Sequence, residues 1–283
     1  RAAFFVGKDR IEVEADAAFL GSLSKFLRLD GRRRRASMVF RVPAHVLLSG
    51  EATADWVVAR ALEAGRAKGW HFIHSGAVAA REGAALFIGR SFSGKSTLSL
   101  LLASRGYPLL SDELNVLRAK KDGWHAAGFP LVPQARETAF TNVPTLARLK
   151  PGLERTPRNK WLVPYAAGAE APVARIFFLR YDPKAVCRFT RVAPAALGKT
   201  LATHTAGYVT ASDAGLLDFV LSLRKLARQG RVWTCAYSDK GFAALTGALE
   251  REFLGPAWPL KKRRLSGIVA GSKRKSTSSK EHR

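Results

Sequence analysis

Eight residues, Gly89 to Ser96 ("GRSFSGKS"), satisfy the pattern G-x-x-x-x-G-K-S/T. Their types suit the grip of a phosphate chain. Glycines let the backbone turn several N–H groups toward one anion, and a helix starting near Lys95 would add its positive end. Lys95 would meet the β- and γ-phosphates, the Ser96 hydroxyl would bind magnesium, and Thr97 would support it. Arg90, Ser91, Phe92 and Ser93 complete the nucleotide loop between Gly89 and Gly94. Chemistry on a triphosphate also needs a carboxylate close to the metal, often at the end of a neighbouring strand. The stretch "YPLLSDE" offers two, Asp112 and Glu113, beginning seventeen positions after Lys95. One can hold the metal while the other takes a proton from an attacking hydroxyl.

These groups need a strand, a tight loop, a helix and a second strand, in that order. "AALFI" reads as the buried first strand, Lys95–Ser104 as the helix and "YPLLS" as the second strand. Upstream, "WHFIHSGAVAA" predicts a strand, and Asp55–Lys68 carries helical spacing that Gly69 ends. The first fifty residues read as strand-rich and irregular, with "RIEVEAD" and "SMVFRVP" as strands. Downstream, "NVLRAKKDGWHAAGF" predicts two strands around a turn, and Pro130–Glu170 predicts loops beside the site. "VARIFFLRYDP" reads as a buried strand with "KAVCRFTRVAP" as its partner. Helices over Ala211–Gln229 and Gly241–Phe253 flank the strand "RVWTCAYS". So many strands imply a mixed sheet in an α/β fold.

Composition bounds the alternatives. The 283 residues are 47% hydrophobic and 24% charged, enough to bury a large core. No apolar run is long enough to span a membrane, and the first residues lack the pattern of a signal peptide. Two cysteines in no ligand-like spacing suit a reducing cytoplasm, so a cytoplasmic location is expected. The net charge is +25. About half of it lies in "GRRRRAS" and in the tail from Lys261, which is rich in Lys, Arg and Ser and expected to be disordered. The remainder is dispersed, and no aromatic-and-glycine signature of an RNA-binding module occurs, which argues against nucleic acid as the partner. A homo-oligomer is compatible with the sequence.

The segment "FIHSGAVAAREGAALFIGRSFSGKSTLSLLLASRGYPLLSDELNVL" resembles the core of the HPr serine kinase/phosphorylase family. That family shares its fold with phosphoenolpyruvate carboxykinases and typically shows a His before the loop, the phosphate loop, an Arg-Gly after the helix and a strand ending in two acidic residues. The matching positions are His74, Gly89–Ser96, Arg105-Gly106 and Asp112-Glu113. Glu113 stands where the family commonly has Asp, and the downstream glycine-containing signature that accompanies HPr recognition is absent. Shortened relatives with these features resemble kinases of peptide natural products, including lasso-peptide precursor kinases.

The resemblance implies a P-loop domain of the phosphoenolpyruvate carboxykinase-like type over residues 53–258, a strand-rich region over 1–52 and a basic tail over 259–283. It implies an ATP- and magnesium-dependent kinase that phosphorylates a hydroxyl of a peptide or protein. Asp112 would be the base and Glu113 a magnesium ligand beside Ser96, with the two carboxylate roles exchangeable or shared. His74 would sit near the phosphates, with Lys95 as a catalytic cation. Arg136, Lys160 and Arg180 are candidate cations for the transferring phosphoryl group. The competing readings are a nucleotide-gated regulatory module with little turnover and a small-molecule kinase.

Overall fold

A computed structural model of the chain describes residues 1–6, 8–29, 35–43, 51–165, 170–204 and 213–257. The tail from Lys261 and residues 31–34 of the basic run lie outside the described residues, so the expected disorder of the tail concerns none of them.

The chain opens with β1 (Ala2–Val6) and β2 (Asp9–Glu14), an antiparallel pair, to which β3 (Met38–Arg41) adds in parallel on β2. Between them runs α1 (Ala17–Phe26), a helix that the strand-rich, irregular reading of this region did not include. Asp16 caps it by accepting the Phe19 N–H at 2.7 Å, and Phe19, Leu23 and Phe26 bury one face. Next comes α2 (Glu51–Arg66), one turn longer at its start than its spacing implied. These elements share a core with Trp70, Phe72, Val116 and Phe129 of the larger sheet. The joint also carries Arg118, whose guanidinium donates to Asp9 at 2.6 Å and lies over the Trp70 ring.

The larger sheet is built from β4 (His71–Ala80), β5 (Gly83–Ile88), β6 (Leu109–Ser111), β7 (Leu114–Lys120) and β8 (Gly123–Gly128). After the short pieces β9 (Gln134–Ala135), α4 (Glu137–Asn142), α5 (Pro144–Ala147) and β10 (Trp161–Leu162), it is completed by β11 (Ala171–Tyr181), β12 (Cys187–Arg191) and β13 (Val232–Tyr237). Its order is β12-β13-β11-β5-β4-β7-β8, with β6 on β4 and the start of β11 pairing back onto β8. β13, β11 and β5 are parallel and the other pairings antiparallel, so the sheet is mixed, as expected.

Two expectations need correction. "KAVCRFTRVAP" does form a strand, but β12 pairs with β13 and not with β11. Both long edges of β11 are occupied, by β5 on one side and β13 on the other. The stretch 130–170 is not loop alone, because β9 and β10 pair across it and pin the short helices between them.

Helices cover the two faces of the sheet. α3 (Lys95–Ser104) and α8 (Phe242–Ala248), the latter continuing as a π-helical turn over Leu249–Leu254, pack on Phe87, Phe177, Leu179 and Cys235. α6 (Leu197–His204) and α7 (Asp213–Arg228) pack on Leu86, Ile88, Ile176 and Phe178. The alternation along β5 and β11 explains the division, since successive side chains leave opposite faces of a strand. Each fully buried Phe or Leu contributes about 1.5–3 kcal/mol.

β6 and β8 approach so closely that a Cβ on Gly128 would stand 1.9 Å from the main-chain oxygen of Leu110. Gly128→Ala is therefore expected to destabilise the protein by about 1–3 kcal/mol, the usual result of overpacking. Thermal unfolding would show this as a fall in Tm of several degrees.

Candidate active site

β4 is the spine of the site. On one edge it carries β5, with Ser75 opposite Ile88, the residue just before the Gly89–Ser96 loop. On its other edge lie β6 and β7, in effect one interrupted strand, since Ala77 faces Ser111 and His74 faces Leu114 in unbroken register. Asp112 and Glu113 form the interruption. Ser111 fixes it, its hydroxyl oxygen accepting the N–H groups of Glu113 and Leu114 at 3.2 Å each, while the Ser75 N–H donates to the Glu113 carbonyl at 3.1 Å. The end of β5 that feeds the loop and the acidic pair thus stand two strand spacings apart, about 10 Å.

The loop is tightly held. Gly94 takes φ +77°, in the left-handed region that glycine tolerates, and a Cβ there would meet the Tyr237 hydroxyl at 2.2 Å. That hydroxyl donates to the Ser93 carbonyl at 2.7 Å. Lys95 is buried, and Nζ donates to the main-chain oxygens of Gly89 at 2.9 Å and Arg90 at 3.1 Å. Burial lowers its pKa, with Glu113 and Asp112 opposing that shift. Phe92 has φ +65° and is 79% exposed, and the Arg136 guanidinium lies 4.8 Å from its ring centroid. A non-glycine residue at positive φ carries a backbone cost, and such residues gather at functional sites.

The two carboxylates differ sharply. Asp112 is 1% exposed, and its Oδ2 accepts the Gln134 N–H at 3.2 Å. Burial, helped by the neighbouring Glu113 charge, pushes its pKa up to about 7. Glu113 is 44% exposed, with Oε1 3.3 Å from His74 Nε2. Burial opposes its ionisation, but the His74 hydrogen bond and the charges of His74, Lys160 and Lys95 prevail and hold its pKa below the ordinary value. The Ser96 hydroxyl donates to the Asp112 carbonyl at 3.2 Å, which ties the start of α3 to the acidic turn.

A cleft of about 440 Å³ runs across these groups, lined by His74, Lys95, Ser96, Thr97, Glu113, Arg136 and Lys160. Asp112 faces instead a side chamber of about 80 Å³, whose lining includes Phe26, Glu51, Leu131 and Arg158. Glu113, Gln134 and Lys160 belong to both spaces and form the partition. Arg158 bridges Glu51 and Asp55 of α2 at 2.8 Å each, closing the far wall of the chamber.

Nearly every residue singled out from the sequence meets here, but Arg180 does not. It pairs with Asp182 at 3.2 Å, half-exposed, and is absent from the cleft lining. Strand alternation is the reason: Leu179 and Tyr181 take the face of the loop, and Arg180 takes the other. Sequence reasoning missed Tyr181, Tyr237, Asp239 and Phe242, which line the end of the cleft away from the carboxylates. It also missed Arg28, whose buried guanidinium has its pKa lowered to about 10 by desolvation, with the Asp112 charge opposing. The positions of Tyr181 and Tyr237 at the C-terminal ends of parallel strands, where ligands of open α/β sheets bind, were the available signal.

No helix among the described residues is long and apolar enough to cross a membrane. No family model matches the chain, and no curated protein matches it. Among solved structures, the Hpr(Ser) kinase/phosphatase from Coxiella burnetii is similar over 56% of this chain and 95% of its own, at 17% identity and a TM-score of 0.25. At that TM-score the likeness is too loose to place residues or assign an activity.

Proposed function

We propose that the chain is a magnesium-dependent phosphotransferase that moves the γ-phosphate of ATP to a hydroxyl of a peptide or protein, such as a serine side chain or a C-terminal residue. One observation carries this reading. Two adjacent carboxylates beside a phosphate loop have pKa values pushed in opposite directions, Asp112 up and Glu113 down. Such a split is how a site obtains a base and a permanently ionised group from two like residues.

The roles follow from the positions. Lys95 and the loop N–H groups hold the β- and γ-phosphates, with incoming oxygens replacing the Gly89 and Arg90 carbonyls on Nζ. Among the described residues no three His, Cys, Asp or Glu gather, so a caged metal does not fit. The Ser96 hydroxyl and the Glu113 carboxylate do fit magnesium, which takes oxygen donors and keeps water and substrate phosphates as its other ligands. When bound, the metal neutralises charge on the phosphate oxygens. Asp112 accepts the proton of the acceptor hydroxyl as its oxygen bonds to the γ-phosphorus and the bond to ADP breaks. Lys160 and Arg136 offer positive charge to the equatorial oxygens, and His74 orients Glu113.

A second reading, a nucleotide-gated regulatory module, draws on the Asp112 carboxylate opening to the side chamber and not to the cleft. Incubation with γ-labelled ATP, magnesium and serine-containing peptides separates the two. Label appearing on peptide, and abolished by chelation, is the expected result. Tight ATP binding with neither transfer nor hydrolysis would replace the enzyme by the module.

A further inference from the structure

The cleft has two chemically unlike ends. At one stand Glu113, His74 and Lys160; at the other stand Tyr181, Tyr237, Asp239 and Phe242. The loop lies between them, since Tyr237 donates to Ser93 while packing edge-on to Tyr181 at 6.2 Å and tilted against Phe242 at 5.8 Å. The Tyr181 ring is 45% exposed and its hydroxyl donates to Asp239 Oδ2 at 2.8 Å. That bond orients an exposed carboxylate whose other oxygen, Oδ1, has no partner among the described residues.

An uncompensated carboxylate repels phosphate, so this end does not suit the triphosphate or an anionic acceptor. A nucleotide whose γ-phosphate lies at the Glu113 end must place its base at the other. There it meets an exposed aromatic face, suited to stacking, and an acceptor-only oxygen, suited to an amino group.

We propose that Tyr181 and Asp239 form the base-recognition site of the nucleotide and read a 6-aminopurine. Tyr181 stacks on the ring, and Asp239 Oδ1 accepts a hydrogen bond from the exocyclic amine. This rests on the phosphotransferase reading of the same cleft and adds the residues that select its nucleotide.

Calorimetric titration of the full chain with magnesium and three ligands tests it: ATP, purine riboside triphosphate (which lacks the 6-amino group) and GTP. Asp239→Ala is expected to weaken ATP about tenfold, the loss of one hydrogen bond to a charged group, and to leave purine riboside triphosphate unchanged. Tyr181→Ala is expected to weaken both by about tenfold or more, whereas Tyr181→Phe, which keeps the ring and loses only the bond to Asp239, is expected to leave purine riboside triphosphate unchanged and to weaken ATP less than Asp239→Ala does. Both side chains are exposed, and an unchanged Tm checks that each variant stays folded. If Asp239→Ala weakened both ligands equally, or neither, the base assignment would be overturned while the phosphotransferase reading stood. GTP binding more tightly than ATP would also overturn it. Failure of the unmodified chain to bind any of the three would remove both readings together.

Discussion

Replacing Lys95 with methionine is expected to lower phosphoryl transfer by about 10²–10³-fold and to leave the fold in place. The size of the loss is that of removing one preorganised electrostatic contact to a transferring group. The fold survives because the Lys95 stem, not its charge, fills the space beneath the loop, and methionine has a similar shape. The ammonium is held on two main-chain oxygens, and burial lowers its pKa, so keeping this charge inside the fold costs stability that methionine would not. A transfer assay with γ-labelled ATP and a melting curve on one preparation check both parts. Unchanged transfer in Lys95→Met would end the assignment of the loop.

Asp112→Asn is expected to lower transfer by about 10²–10⁴-fold with ATP affinity retained, because a general base is lost and no phosphate contact is. The same substitution is expected to stabilise the protein above pH 7, on the order of 2 kcal/mol. The sign follows from the proton. In the unfolded chain Asp112 ionises near its ordinary value of 3.8, whereas in the fold it holds its proton up to about 7. Between those values the native state binds more protons than the unfolded one, so this residue makes stability fall as pH rises and then level off. Urea denaturation at pH 5 and pH 8 should show the Asn variant gaining on the unmodified protein at the higher pH. Transfer in the unmodified protein should rise with pH through about 7 as the base deprotonates. Equal stability differences at both pH values would mean that Asp112 is ionised throughout.

The site's inner half was legible in the sequence because it is local. Gly89, Gly94 and Lys95 lie where one buried strand gives way to one helix, and the acidic pair follows at the end of the next strand. The hairpin of β7 and β8 was legible for the same reason, since alternation and a turn at Gly123 lie within a few residues of each other. What escaped depends on distant partners. The place of β12 outside β13 is set by which edges of β11 remain open, which no local pattern records. α1 was obscured because Gly21, Ser22 and Ser24 dilute a stripe that Phe19, Leu23 and Phe26 nonetheless complete. Arg180 is a different failure. Its neighbours Leu179 and Tyr181 share the face it cannot occupy, and applying the two-residue period would have excluded it.

The course of β4 has a mechanical consequence. One strand carries the loop's foundation on one edge and the acidic turn on the other, so the two are spaced by backbone ladders and not across a hinge. Thermal breathing cannot widen that gap without breaking ladder bonds in the middle of the sheet. Amide protons of Ser75 and Ala77 should therefore exchange only with global unfolding, while those of the β9–β10 region, held by a two-residue ladder, exchange through smaller openings. Compliance in this cleft resides in the walls that bring Arg136 and Lys160, and the distance between loop foundation and acidic turn is rigid.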